Sequence, residues 1–172
     1  MDQSTVSNAA APKALGVPRG CIEFFADLLS ARLGLQPGAD GDDEYVARLG
    51  GRIHRVGSSQ YSLVVRGCGN FDVYIPSHSF LSHEHIYIAQ AVGCYYLHHP
   101  QSVSDVMLVS RHVANRVTWE AGVFAEAFLV PEAALRTMMT RYRGSICDIA
   151  SAFDVPILVI KRRIGQIGLM AA

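Results

Sequence analysis

The chain has 172 residues, with 15 Lys+Arg against 15 Asp+Glu and a formal net charge of +0, and its balanced pI near 7.0 removes the electrostatic case for nonspecific binding to nucleic acid or an anionic membrane surface. Its length suffices for one domain with a sizeable core and is too short for two large ones. Only 17% of residues are charged against 50% hydrophobic, where about a quarter charged is usual, so some apolar surface is expected to be covered by a protein partner or by a second copy in a homo-oligomer.

Residues 1–16 are small, polar and aperiodic and read as a loose tail; residues 17–172 read as a single domain. The tail has no apolar signal region, and no apolar run reaches the roughly 18 residues that span a bilayer. Cys21, Cys68, Cys94 and Cys147 show no paired metal spacing. A reducing, cytoplasmic setting with no membrane partner is the expectation. A first helix is predicted from Pro18 to Leu33, with Ile22, Phe25, Leu28, Leu29 and Leu33 on one face and Gly34 as its stop. Asp40-Gly41-Asp42-Asp43 then supplies an acidic start for a short helix through Leu49.

Three short strands follow, Arg52 to Val56, Tyr61 to Arg66 and Phe71 to Ile75. The stretches Gly57-Ser58-Ser59 and Gly67-Cys68-Gly69-Asn70 between them read as hairpin loops. From Glu84 to Pro100 the pattern becomes helical. Ile88, Val92, Tyr95 and Tyr96 form a face to be buried, and a second, polar stripe carries Tyr87, Gln90, Cys94 and His98. Side chains one turn apart lie about 6 Å from each other, so this stripe is a candidate pocket wall.

Beyond Pro100, Val106 to Val109 is a candidate fourth strand. A helix from about Val113 to Leu129 buries Val117, Phe124 and Phe128 and presents Glu120 toward the central helix. A buried carboxylate needs a partner, and Gln90, His98 and Arg111 are the candidates. Pro131 opens a helix through Arg141, and Ser145-Ile146-Cys147-Asp148 has the form of a capping box. Two final helices, about 145 to 153 and 156 to 167, carry Lys161, Arg162 and Arg163. Three basic residues on a helix of a neutral chain are ordinarily a solvated face, so direct DNA binding is not expected from them.

The central stretch resembles the active-site helix of the ImmA/IrrE family of zincin-like metallopeptidases. Where that family places H-E-x-x-H, this chain has Gln90-Ala91-Val92-Gly93-Cys94. Trp119 to Pro131 is similar to the family's later E-A-N-x-F-A helix, with Gly122 in place of the asparagine, and residues 145 to 169 are similar to its closing helix pair. The resemblance implies an α+β, zincin-like domain, with a three- to four-stranded sheet packed against the central helix.

It also implies a peptidase site whose chemistry is gone. In H-E-x-x-H two imidazoles hold Zn²⁺, a third carboxylate closes the site and the glutamate takes a proton from the metal-bound water. Glu120 keeps the family's third-ligand position. Gln90 offers a neutral amide, a poor zinc donor, and Ala91 accepts no proton. Losing general acid/base catalysis alone costs typically about 10²- to 10⁴-fold. The expectation is therefore a pseudo-peptidase with no catalytic residues and no bound zinc, whose remaining pocket residues are Tyr87, Gln90, Cys94, His98 and Glu120.

Active members of the family relieve repression by cleaving a helix-turn-helix repressor of a phage, mobile element or stress regulon. A member without the metal is expected to bind such a repressor instead, as an antirepressor. Two alternatives stay open. One is a hydrolase with an altered site, built on Cys94, His98 and Glu120 with zinc or on a Cys94 thiol and a histidine. The other is DNA binding through residues 145 to 167.

Overall fold

The computed structural model describes residues 11–35, 41–78, 81–99, 106–110 and 115–169. Helix α1 (Arg19–Leu33) starts after Pro18, whose φ of −59° suits a helix entrance, and stops at Gly34, where φ turns to 66°. Its buried side is Ile22, Ala26, Leu29 and Leu33, whereas Leu28, expected on that face, is exposed because it falls about a third of a turn from the stripe that α1 packs inward. Helix α2 (Asp42–Arg48) has Gly41 at its N-cap and three acidic residues in its first turn, which complement the helix dipole.

Strands β1 (Gly51–Val56), β2 (Tyr61–Gly67) and β3 (Asn70–Pro76) form a sheet with β4 (Met107–Ser110). The strand order is β1-β3-β2-β4. Strands β2 and β3 make the expected hairpin, and β4 adds antiparallel to β2 at one edge. The hairpin expected between β1 and β2 is absent: β1 lies on the far side of β3 and pairs with it in parallel. Alternation along single strands fixes which side chains are buried but not which neighbour a strand takes, so the stretch after Val56 reads as a tight turn although it carries the chain past β3.

The inner face of the sheet, with Leu63, Val65, Phe71, Val73 and Ile75 all buried, meets the longest helix, α3 (Leu81–His98). The Phe71 and Tyr95 rings stack at 4.4 Å, and the Tyr95 hydroxyl accepts the Gly69 amide of the β2–β3 turn at 2.7 Å. On the other side of α3 lies α4 (Arg116–Leu129), flanked in turn by α1. Asn115 caps α4 reciprocally with Thr118, satisfying two donors that would otherwise be orphaned. The two helices approach closely at Gly93, where an added Cβ would stand 2.8 Å from the Phe124 ring.

The chain ends in α5 (Glu132–Arg141), α6 (Ile146–Phe153) and α7 (Ile157–Gln166), which share a second apolar cluster around Leu135, Ile149, Phe153 and Ile160. Ser145 stands at the N-cap of α6 without a side-chain capping hydrogen bond, so the capping box expected there does not form. The cluster is fastened to the rest by polar bridges. Arg163, 1% exposed, donates to the Val130 carbonyl and to Glu23 of α1. Arg162 and Gln166 both bind Glu126 of α4. The fold class is α+β, as expected from the sequence.

Candidate functional site

Between α3, the β3 and β4 end of the sheet, and α4 lies a cleft of about 320 Å³. Helix α3 contributes Tyr87, Gln90, Ala91 and Cys94 to it, three of them members of the polar stripe. Tyr74 of β3, Val109 and Ser110 of β4, and Thr118 of α4 form the facing walls. Among the described residues the lining holds no Asp, Glu, His, Lys or Arg. The Gln90 amide lies beside Gly122 of α4, where an added Cβ would be 3.9 Å from its Nε2.

Cys94 is 5% exposed, and burial pushes its thiol up to about 12. A thiol so held is protonated at neutral pH and is neither a nucleophile nor a ready metal ligand. No hydrogen bond joins it to His98 among the described residues, so the cysteine–histidine pair considered from the sequence is not assembled.

His98 and Glu120 do not line the cleft; they form a separate pair beside it, with Nδ1 3.7 Å from Oε2 and both side chains fully buried. Burial works against ionisation of Glu120, yet its carboxyl is held below the usual range by three donors. These are the backbone amides of Leu15 and Gly16, each at 2.9 Å, and Arg116 Nε at 3.0 Å. Arg116 is four residues earlier on the same helix and lies 4.0 Å from the centre of the Trp119 ring. His98 Nδ1–H donates to the Lys13 carbonyl at 3.0 Å, leaving Nε2 buried without a hydrogen-bond partner. Burial pushes the imidazole below its ordinary value, and Glu120 only partly offsets this.

Thus Glu120 accepts its hydrogen bonds from Arg116 and from the segment before α1, with His98 in an ion-pair contact at 3.7 Å and no hydrogen bond from Gln90 among the described residues; Arg111 lies outside them. The same contacts correct the reading of residues 1–16 as a loose tail throughout. Residues 11–17 have no regular secondary structure but are tied to α3 and α4. Arg116 had a sequence signal, its i, i+4 spacing to Glu120. The backbone donors of Leu15 and Gly16 had none.

The residues at the positions likened from the sequence to H-E-x-x-H do not fit a zinc ion. They offer an amide, a methyl group and a protonated thiol, while both Glu120 oxygens already accept hydrogen bonds. Among the described residues no three His, Cys, Asp or Glu side chains are gathered as a metal-binding group, and no helix is long and apolar enough to cross a membrane. Among the described residues no disulfide joins any two cysteines, and Cys21, Cys68 and Cys147 are exposed. The basic run on α7 is largely engaged, since Arg162 pairs with Glu126 at 2.7 Å and Arg163 is buried against Glu23. Neither a protein-family model nor a curated protein matches the sequence.

Proposed function

We propose that this protein is a zincin-like, ImmA/IrrE-type domain without peptidase chemistry, acting in the cytoplasm as a regulatory protein-binding module. Its partner is a helix-turn-helix repressor of a phage, mobile element or stress regulon, which it sequesters by stoichiometric binding as an antirepressor. One observation carries the reading: a cleft of about 320 Å³ whose inner wall is Gln90, Ala91 and Cys94, beside the edge strand β4. That wall has no general base, no thiolate and no zinc ligand set. An edge strand pairs an extended peptide by main-chain hydrogen bonds without any catalytic group, so binding outlasts chemistry.

The altered-site hydrolase is disfavoured by the buried, protonated Cys94. DNA reading through residues 145 to 167 is disfavoured because Arg162 and Arg163 are tied to Glu126 and Glu23.

Gel filtration and operator mobility shift with a helix-turn-helix repressor encoded beside this protein test the proposal. The expected result is a stable complex, an uncut repressor and loss of operator binding. Intact operator binding with no complex overturns it, and cleavage of the repressor restores the hydrolase. Zinc content of untagged protein prepared without chelator is the companion measurement. Near zero per chain is expected in wild type and in Cys94→Ser; close to one, lost in the variant, overturns the inactive site.

A further inference from the structure

The segment from Lys13 to Val17 is held almost wholly through its main chain. Glu120 accepts the amides of Leu15 and Gly16, His98 Nδ1–H donates to the Lys13 carbonyl, and Arg116 Nη2 donates to the Val17 carbonyl at 3.1 Å. Three side chains from α3 and α4 thus read two N–H and two C=O groups. The Leu15 side chain is 50% exposed; Val17 packs on the core. Gly16 has φ of 69°, and such a turn lets successive amides converge on one anion, as in backbone anion-binding concavities. Ahead of this segment, Ala11 and Pro12 lie against β4 at a smaller cavity that shares Val109, Ser110 and Thr118 with the main cleft. The segment is thus a strap that runs from a cavity adjoining the main cleft, at Ala11 and Pro12, to the buried His98–Glu120 pair beside it.

We propose that His98, Arg116 and Glu120 form a peptide-backbone recognition site, and that the strap is its exchangeable internal ligand, displaced when a partner's glycine-containing extended segment takes the same hydrogen bonds. Main-chain recognition is tolerant of sequence, so a different chain with the same backbone pattern satisfies the site equally. Glu120 is satisfied in either state, because its buried carboxylate requires donors and two backbone amides supply them whether they belong to the strap or to the competing chain. The identity of the competing chain rests on the protein-binding function proposed above, whereas exchange of the strap does not.

The probe is a synthetic peptide of residues 11–17 with blocked ends, added to the full chain carrying Gly16→Pro. This change removes one donor and forbids the positive φ. Binding is read by anisotropy of labelled peptide and by fluorescence of Trp119, the single tryptophan, which stacks with Arg116. Saturable binding to Gly16→Pro, at least tenfold weaker to wild type and lost on adding Glu120→Gln, is expected. Equal binding to both proteins, or none to a folded Gly16→Pro, overturns the proposal. Hydrogen exchange on wild type gives a reading independent of that variant's folding. The Leu15 and Gly16 amides are expected to exchange faster than the core amides of α4. If they open only with global unfolding, the strap is a fixed part of the fold and the proposal fails. Neither readout involves a repressor, so failure here is distinct from failure of the antirepressor function.

Discussion

Cys94 illustrates how burial, rather than residue type alone, decides what a side chain can do. The thiol occupies a place one turn after Gln90, but burial holds it protonated to about 12, against an ordinary value near 8.5. Native protein treated with a thiol reagent at pH 8 is therefore expected to label at Cys21, Cys68 and Cys147, which are exposed, with Cys94 reacting only after denaturant is added. Peptide mapping checks this, and fast labelling of Cys94 in the native state would reinstate the thiol as a candidate nucleophile. The identities of Gln90, Ala91 and Cys94, and their side of the helix, were readable in the sequence because α3 obeys a plain helical period. The separation of His98 and Glu120 from the cleft was not. It depends on the strap, whose contribution is backbone amides, and residue types carry no record of where those point.

Between elements, the close approach of α3 and α4 rests on Gly93 facing Phe124. Alanine at position 93 gains about 1 kcal/mol of helix propensity. Its Cβ, however, would stand 2.8 Å from the ring and 3.1 Å from Cβ of a fully buried Phe124, and overpacking costs about 1–3 kcal/mol. The second effect wins. Gly93→Ala is expected to lower stability by about 1 kcal/mol net, and Phe124→Leu in the same chain to recover part of that, as read by denaturant unfolding. If Gly93→Ala were stabilising, the helices would be free to separate, and the cleft above them would be less rigid than its walls imply. Glycine at this position is visible in sequence, but its purpose is not, because a close approach is set by the partner helix. Helix limits fared better. Pro18, Gly34 and Pro131 act through local backbone chemistry and mark α1 and α5 within a residue.

Across the whole molecule, the C-terminal helices are joined to the sheet and central helix by charge as well as by apolar packing. His85 of α3 bonds Asp42 of α2 at 2.6 Å and Asp154 at 2.9 Å, where Asp154 ends α6 with a φ of 51°. The hydrogen bond to Asp42, opposed by burial and supported by Asp154, raises the imidazole from 6.5 to about 9. The folded value exceeds the unfolded one, so the bridge contributes fully below pH 6.5 and is lost as pH rises through about 9. Thermal unfolding is expected to show a loss on the order of 1 kcal/mol over that rise, once solvent around Asp154 is allowed for, and His85→Gln is expected to flatten the curve. Parallel curves for the two proteins would mean that the His85 bridge adds nothing to the hold on the C-terminal helices. None of these long-range pairings was legible in the sequence, since a chain of balanced charge permits many ion pairs and only the fold selects among them. The bond from Arg163 back to Glu23 spans 140 residues, and it bears on synthesis. At roughly 5–20 residues per second, α1 leaves the ribosome about 7–28 seconds before the arginine that secures it. Until α4, on which α1 packs, has followed it out, Phe24 and Leu28, still exposed in the finished fold, are joined by the unburied Ile22 and Leu29, so the nascent first helix is an apolar surface that needs shielding during synthesis.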